Sequence, residues 1–279
     1  MKNIAKYIFI ITTFLFICSC QSYNMEHVET SIEWIGIKNQ NVVILSNYYM
    51  QYDRVPGPLG DTHRDYMDFT RLLEINIDTK EQRVVGDKNL GGHKGIVCHN
   101  NIVCIAGEVF LDAENYNQIY KNDIPNNLNF FDFTSDLNRV LYNGWQLKEI
   151  NFSTTNSTEI ISNNVTDAKY CPTDDTLIAY VGRSTTADNM AGDLYLVESD
   201  GTNIVNILSG RNIIKIYWKP DGNTIVFLNT DGIWKIDKDG SNLTKILDLS
   251  LPEVYRYPAI GFGLFAYIDS NDKLVTVRF

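Results

Sequence analysis

Histidine, cysteine and proline are scarce in this chain, with 4, 5 and 7 copies in 279 residues. No C-x-x-C pair occurs, which removes the commonest zinc frameworks. No G-x-S-x-G elbow occurs, so the strand-turn-helix nucleophile of the α/β-hydrolases is excluded. No Walker or dinucleotide glycine pattern sits between a strand and a helix. Basic residues are outnumbered, 24 Lys+Arg against 34 Asp+Glu, for a formal charge of −10. With a sequence pI near 4.9, a nucleic-acid partner is excluded, because phosphate binding draws on clustered Lys and Arg. Apolar spacing at 3.6 residues is missing, so long amphipathic helices are not expected. No apolar run reaches the roughly 20 residues that cross a bilayer. The 44% hydrophobic and 21% charged fractions are nonetheless those of a globular chain.

The N-terminus reads as a targeting segment. Lys2 and Lys6 precede an apolar run from Ile8 to Ile17, broken only by Thr12 and Thr13. The run ends at Ile17-Cys18-Ser19-Cys20, an order that resembles the lipobox of bacterial lipoproteins. The resemblance implies lipidation of the Cys20 thiol and cleavage ahead of it, which removes residues 1–19 as a signal peptide. Acyl chains then anchor the protein at about 0.8 kcal/mol per buried CH2. An ordinary secretory signal cleaved near Ser19 is the plainer alternative. Gln21 after the cysteine suggests the outer membrane by resemblance to enterobacterial sorting, and residues 20–30 read as a lipidated tether. Of the later cysteines, Cys98 and Cys104 flank a turn at His99-Asn100-Asn101. A two-residue turn pairs Cys98 with Val103 and turns the two sulfurs apart, whereas a bulged three-residue loop would align them. Buried free thiols are favoured for Cys98, Cys104 and Cys171.

The remainder is a repeat of short strands. Tyr217-Trp218-Lys219-Pro220-Asp221-Gly222-Asn223-Thr224-Ile225-Val226-Phe227 is a strand, a Pro-Asp-Gly turn and a second strand. Residues 232–237 form a third, Lys238-Asp239-Gly240-Ser241-Asn242 a turn, and residues 243–247 a fourth. Alternating apolar and polar residues mark each strand, and Gly, Asn or Asp mark each turn. The same order recurs over 169–208 and 131–161. The Asp-Gly turns at Asp200 and Asp239 lie 39 residues apart, and the aromatics Tyr142, Tyr180, Phe227 and Tyr267 lie 38, 47 and 40 apart. Four strands in roughly 40 residues is the signature of a propeller blade. The W-x-P-D-G and D-G-x-N pattern is similar to the TolB-type repeat, also called the WD40-like PD40 repeat.

That resemblance implies an all-β fold, a β-propeller over residues 31–279. Six four-stranded blades fit best, at about 41.5 residues each, with five or seven as alternatives. Residues 32–37, 42–45, 72–77 and 83–85 supply one blade, and 95–98, 102–106 and 118–120 begin another. The last blade has three strands, 257–260, 264–268 and 274–279, and the segment before Ile32 is expected to add its fourth. No hydrolase domain and no α/β domain is expected beside the propeller. Residues 48–70 and 109–128 break the period as insertions, where binding residues gather.

Chemistry is sparse. Asp61-Thr62-His63-Arg64-Asp65 places two carboxylates and an imidazole on one side of an extended segment, a set that could hold a divalent cation. No fourth ligand is identifiable, a solvated loop tip explains the same residues, and no metal is assigned. His93 and His99 flank a strand that could approach the same end of the ring. Oligogalacturonate lyases resemble this propeller class and use a His-rich metal site, but here the histidines all precede residue 100. The Asp-Gly pairs are turn chemistry, and Trp145, Trp218 and Trp234 are core. Tyr52 and Tyr66 offer stacking surface beside the cluster. The ligand-binding candidates are therefore Tyr52, Asp61, His63, Asp65 and Tyr66. No catalytic residue and no cofactor is assigned. The expectation is a monomeric, lipid-anchored envelope protein whose propeller face binds a protein, peptide or glycan. The alternative is a metal-assisted carbohydrate enzyme, a lyase or hydrolase, working at the channel mouth.

Overall fold

The computed structural model describes residues 27–57, 60–88, 95–99, 101–105, 109–121, 129–143, 146–183, 192–249 and 255–279; the side chains of 27–31, 33 and 48–70 and of a few strand-end residues lie outside that description. The described residues are strands and turns with no helix. They form six antiparallel sheets. The first holds β1 (His27–Asn39), β2 (Val42–Gly57), β3 (Gly60–Asn76) and β4 (Gln82–Lys88). The second holds β5 (Ile96–His99), β6 (Ile102–Ile105), β7 (Val109–Asp112) and β8 (Gln118–Lys121). The third holds β9 (Asn129–Phe133), β10 (Arg139–Asn143), β11 (Leu147–Asn151) and β12 (Asn156–Ile161). The fourth holds β13 (Val165–Cys171), β14 (Asp174–Arg183), β15 (Gly192–Glu198) and β16 (Val205–Ile213). The fifth holds β17 (Lys215–Trp218), β18 (Thr224–Asn229), β19 (Gly232–Asp237) and β20 (Thr244–Asp248). The sixth holds three strands, β21 (Tyr255–Gly261), β22 (Leu264–Asp269) and β23 (Leu274–Arg278).

Six apolar clusters fill the six seams between neighbouring sheets, so the ring closes. The second strands explain why the blades stack. In β18, Ile225 and Phe227 face the fourth blade, while Val226 and Leu228 face the sixth. All four are buried, each burial contributing roughly 1.5–3 kcal/mol. This corrects the expectation that every strand alternates apolar with polar residues. A blade is covered on both faces, so its central strands are apolar throughout.

The turns follow the expected chemistry. Asp221 Oδ1 accepts the Asn223 and Thr224 amides at 2.8 and 3.0 Å, and Gly222 takes φ +62° with a Cβ position only 1.9 Å from Thr173 Oγ1. Asp200 and Asp239 cap their own turns in the same way, at 2.9 Å from the Thr202 and Ser241 amides. Cys98 pairs with Val103, the two-residue-turn register, and no disulfide joins Cys98, Cys104 or Cys171.

Three expectations shift. The 48–70 insertion is not a loop. Its backbone extends β2 and β3 into a two-stranded arm that keeps pairing out to Gly57 and Gly60, with one register shift at Gln51/Tyr52. The 109–128 insertion contains β7, missed in the repeat. The fourth strand of the last blade does not come from residues 27–31, because these pair with residues 48–52 of β2 in the first blade; β1 thus also reaches four residues into the expected tether. The signal peptide and Cys20 lie outside the described residues.

Candidate binding site in the central channel

The innermost strands β1, β5, β9, β13, β17 and β21 surround a cavity of about 220 Å3. Antiparallel order puts the β1–β2, β13–β14 and β17–β18 turns at one end of this channel. The β2–β3 arm therefore rises from the other end.

Charged side chains in the channel are tied to the seams. Asp132 Oδ2 on β9 accepts the Tyr170 amide of the next blade at 2.9 Å. Asp167 Oδ2 on β13 accepts the Ile216 amide of the next blade at 2.9 Å, and Lys215 Nζ lies 3.6 Å from its other oxygen. Each carboxylate thus staples one innermost strand to the following one. Lys169 Nζ donates to the Phe131 carbonyl across the same seam as Asp132. Burial pushes the Asp132 carboxyl up, against the pull of Lys169, His99 and two backbone amides. Burial also pushes the Cys98 thiol up to about 12, so the channel cysteine is not a thiolate nucleophile.

The arm-side part is built differently. Trp34 on β1 follows a bulge between Ile32 and Trp34. On β21 the register breaks between Arg256 and Ala259, and Tyr257 takes φ +55°. A residue before proline is normally extended, so Tyr257 ahead of Pro258 is strained by roughly 1–3 kcal/mol. Bulges re-aim side chains. These two bring Trp34 and Tyr257 into contact across the ring-closing seam, with centroids 5.5 Å apart and planes tilted by 52°. The Arg256 guanidinium lies 5.9 Å from the Tyr257 centroid. Trp34 Nε1 is buried with no hydrogen-bond partner among the described residues. A buried donor left unmade costs about 1–3 kcal/mol.

The predicted site residues distribute unevenly. Tyr52 lies on β2, and Asp61, His63, Asp65 and Tyr66 lie on β3, with Asp65 in register with Tyr52 and His63 with Arg54; their side chains lie outside the described residues, as do His93 and Trp145. His63 pairs with a position seven residues beyond Asn47, about 23 Å of strand from the body of the blade. His99 is in the channel wall, edge-on to Phe133 at 5.7 Å. Among the described residues no three His, Cys, Asp or Glu side chains are placed to hold a metal ion. Trp218 is buried as expected, yet it also lines the channel and donates to the Lys169 carbonyl at 3.2 Å. Trp34, Tyr257, Asp132 and Asp167 were not singled out from the sequence. Only the Tyr-Pro pair inside a strand carries a signal that could have been read.

The fold is that of a TolB-like six-bladed β-propeller. No protein-family model matches the chain, and no curated protein matches it. Among solved structures, a TolB protein from Agrobacterium tumefaciens is similar with a TM-score of 0.52 and 14% identity, over 80% of this chain and 82% of that one. A chain of the mitotic checkpoint complex is similar with a TM-score of 0.50 and 14% identity, over 97% and 98%. An oligogalacturonate lyase in complex with manganese aligns with a TM-score of 0.45 and 12% identity, over 89% and 81%. At these identities the likeness extends to the fold alone.

Proposed function

We propose that this protein is a cell-envelope lipoprotein, anchored through Cys20 to the outer membrane, that binds a protein, peptide or glycan without catalysis at the arm-side end of its channel. The carrying observation is the pair of bulges that hold Trp34 against Tyr257, with the indole N–H unpartnered among the described residues. An aromatic pair supplies stacking area, and a ligand that parts the pair gains the indole N–H for its own acceptor. The arm, with Tyr52, Asp61, His63, Asp65 and Tyr66, rises from the same end and extends the surface. A propeller scaffold by itself assigns no chemistry, and the channel carboxylates are committed to backbone amides, which leaves them poorly suited to proton transfer.

The test is a glycan and peptide screen against the native protein and Trp34→Ala. Ligands found should bind the variant at least about tenfold more weakly; equal binding of every ligand removes this site. For the anchor, Cys20→Ala should release the protein from membranes, and unchanged retention with normal cleavage refutes it. The second reading, a metal-assisted carbohydrate lyase or hydrolase, draws on Asp61, His63 and Asp65 at alternate positions of β3. Glycan cleavage that requires a divalent cation and disappears in His63→Ala would favour it.

A further inference from the structure

The sixth blade is one strand short among the described residues: β23 pairs with β22, and nothing described pairs with its outer edge. The register identifies the open groups. Phe279 donates its amide to the Gly263 carbonyl at 3.0 Å, and Asp269 donates to the Lys273 carbonyl at 2.9 Å. With the β22–β23 pairing, Lys273, Val275, Val277 and Phe279 therefore turn their backbone groups toward β22. Antiparallel alternation then turns the N–H and C=O of Leu274, Thr276 and Arg278 outward. Side chains divide as well. Val277 and Phe279 face the seam with the fifth blade, while Leu274 packs against the first blade and Arg278 reaches Asp78 there.

Beside this strand lies a second cleft, of about 600 Å3, walled by Val226, Lys235, Ile246 and Phe279 and running inward to Lys219 and Phe262. Ile246, Val277 and Phe279 are only partly buried. Two lysines and no acidic side chain line this cleft, in a chain of net charge −10.

We propose that the outer edge of β23 accepts an extended segment of a partner protein as an antiparallel fourth strand, with apolar and acidic side chains on the face turned to the cleft. Backbone pairing would supply the affinity, and the apolar wall with Lys219 and Lys235 would supply selectivity. The chain's own leader fits less well. Residues 27–31 are engaged on β2. With processing at Cys20, only residues 20–26 remain ahead of them. Residues 27–30 pair with 49–52 in the arm, beyond the rung that joins Ser31, Tyr48, Thr70 and Lys88, so His27 stands about 13 Å of strand above the blade body. Residues 20–26 span at most about 25 Å and would use about half of it to return to the ring, which leaves too few residues for a full fourth strand. A second copy fits less well too, because the β23 sequence Leu-Val-Thr-Val-Arg brings no carboxylate to the lysines.

The probe is a fluorescein-labelled peptide of about eight residues, alternating threonine with valine and carrying glutamates among its cleft-facing positions, beside the same peptide with lysines in their place. On the full chain, the glutamate peptide should bind at least about tenfold more tightly. It should slow amide exchange at Leu274, Thr276 and Arg278. Thr276→Pro removes an outward amide without touching a β22 bond and should abolish binding. Lys235→Glu should reverse the preference between the two peptides, and it carries the test by itself where the proline variant fails to fold. Binding that leaves those three amides unprotected overturns the proposal, as does absence of binding. Protection of the three amides already in the free chain also overturns it, whether by its own leader or by a concentration-dependent dimer.

Discussion

The seam between the fourth and fifth blades and the seam between the sixth and first close the same ring with different materials. The former combines an apolar cluster around Ile216, Trp218 and Phe227 with a buried carboxylate, Asp167, that holds an amide of the neighbouring strand. The latter has an apolar cluster around Val43, Leu45, Leu264 and Ile268. The polar tie described there is at the surface, where Arg278 reaches Asp78 at 2.5 Å and Asn41 at 3.0 Å. Among the described residues its innermost strands carry, in place of a staple, two bulges, a strained Tyr257 and an indole N–H with no partner. The stapled seam commits its buried carboxylate to a neighbouring backbone amide. Among the described residues the closing seam leaves the Trp34 donor without a partner, and that donor is the physical basis of the proposed site.

Replacing Asp167 by Ala should expose the difference most strongly. It leaves the Ile216 amide unsatisfied and Lys215 without its carboxylate, a loss of about 3 kcal/mol. Urea denaturation would read this as a lower midpoint with an unchanged slope, and a loss under about 1 kcal/mol would show that the staple is dispensable. Asp132→Asn should act through pH. The native Asp132 carboxyl is raised by burial, so the folded chain holds that proton more tightly than the unfolded chain. Stability from this group is therefore present at low pH and is lost as pH rises from the ordinary carboxylate value through the raised one. The asparagine variant should lack this loss, gaining on the native protein as pH rises across that window in melts at several pH values; parallel curves would refute it. Arg278→Ala should have the smallest effect, at most about 0.5 kcal/mol, because both partners of the pair are half exposed and solvent screens them. A loss comparable to that of Asp167→Ala would make the closing seam as dependent on polar ties as its counterpart.

The fifth blade was the most legible region and the first the least. Between residues 217 and 247, Gly222, Gly240 and Asn242 each occupy the left-handed φ that their turn requires. Local chemistry there announces every strand end. In the first blade the period breaks at residue 48, and Pro56, Gly57, Pro58 and Gly60 carry the sequence signal of a loop. Pro56, Gly57 and Gly60 stand at the far ends of two paired strands of 16 and 17 residues. β7 escaped for a different reason: Val109-Phe110-Leu111 is an unbroken apolar run, buried throughout, so it shows no alternation to read.

The sequence by itself determined the four-stranded repeat, its turns and an all-β fold, with no helix among the described residues, because each follows from local backbone preference and a short repeat. Only the tertiary structure decided the rest. Asp132 and Asp167 read as ordinary strand polar residues until the ring sets another blade's amide 2.9 Å away. Trp34 and Tyr257 are 223 positions apart in the chain, and closure of the ring brings them into contact. Seams join residues that share no local sequence signal, so what a propeller can bind is settled where its blades meet.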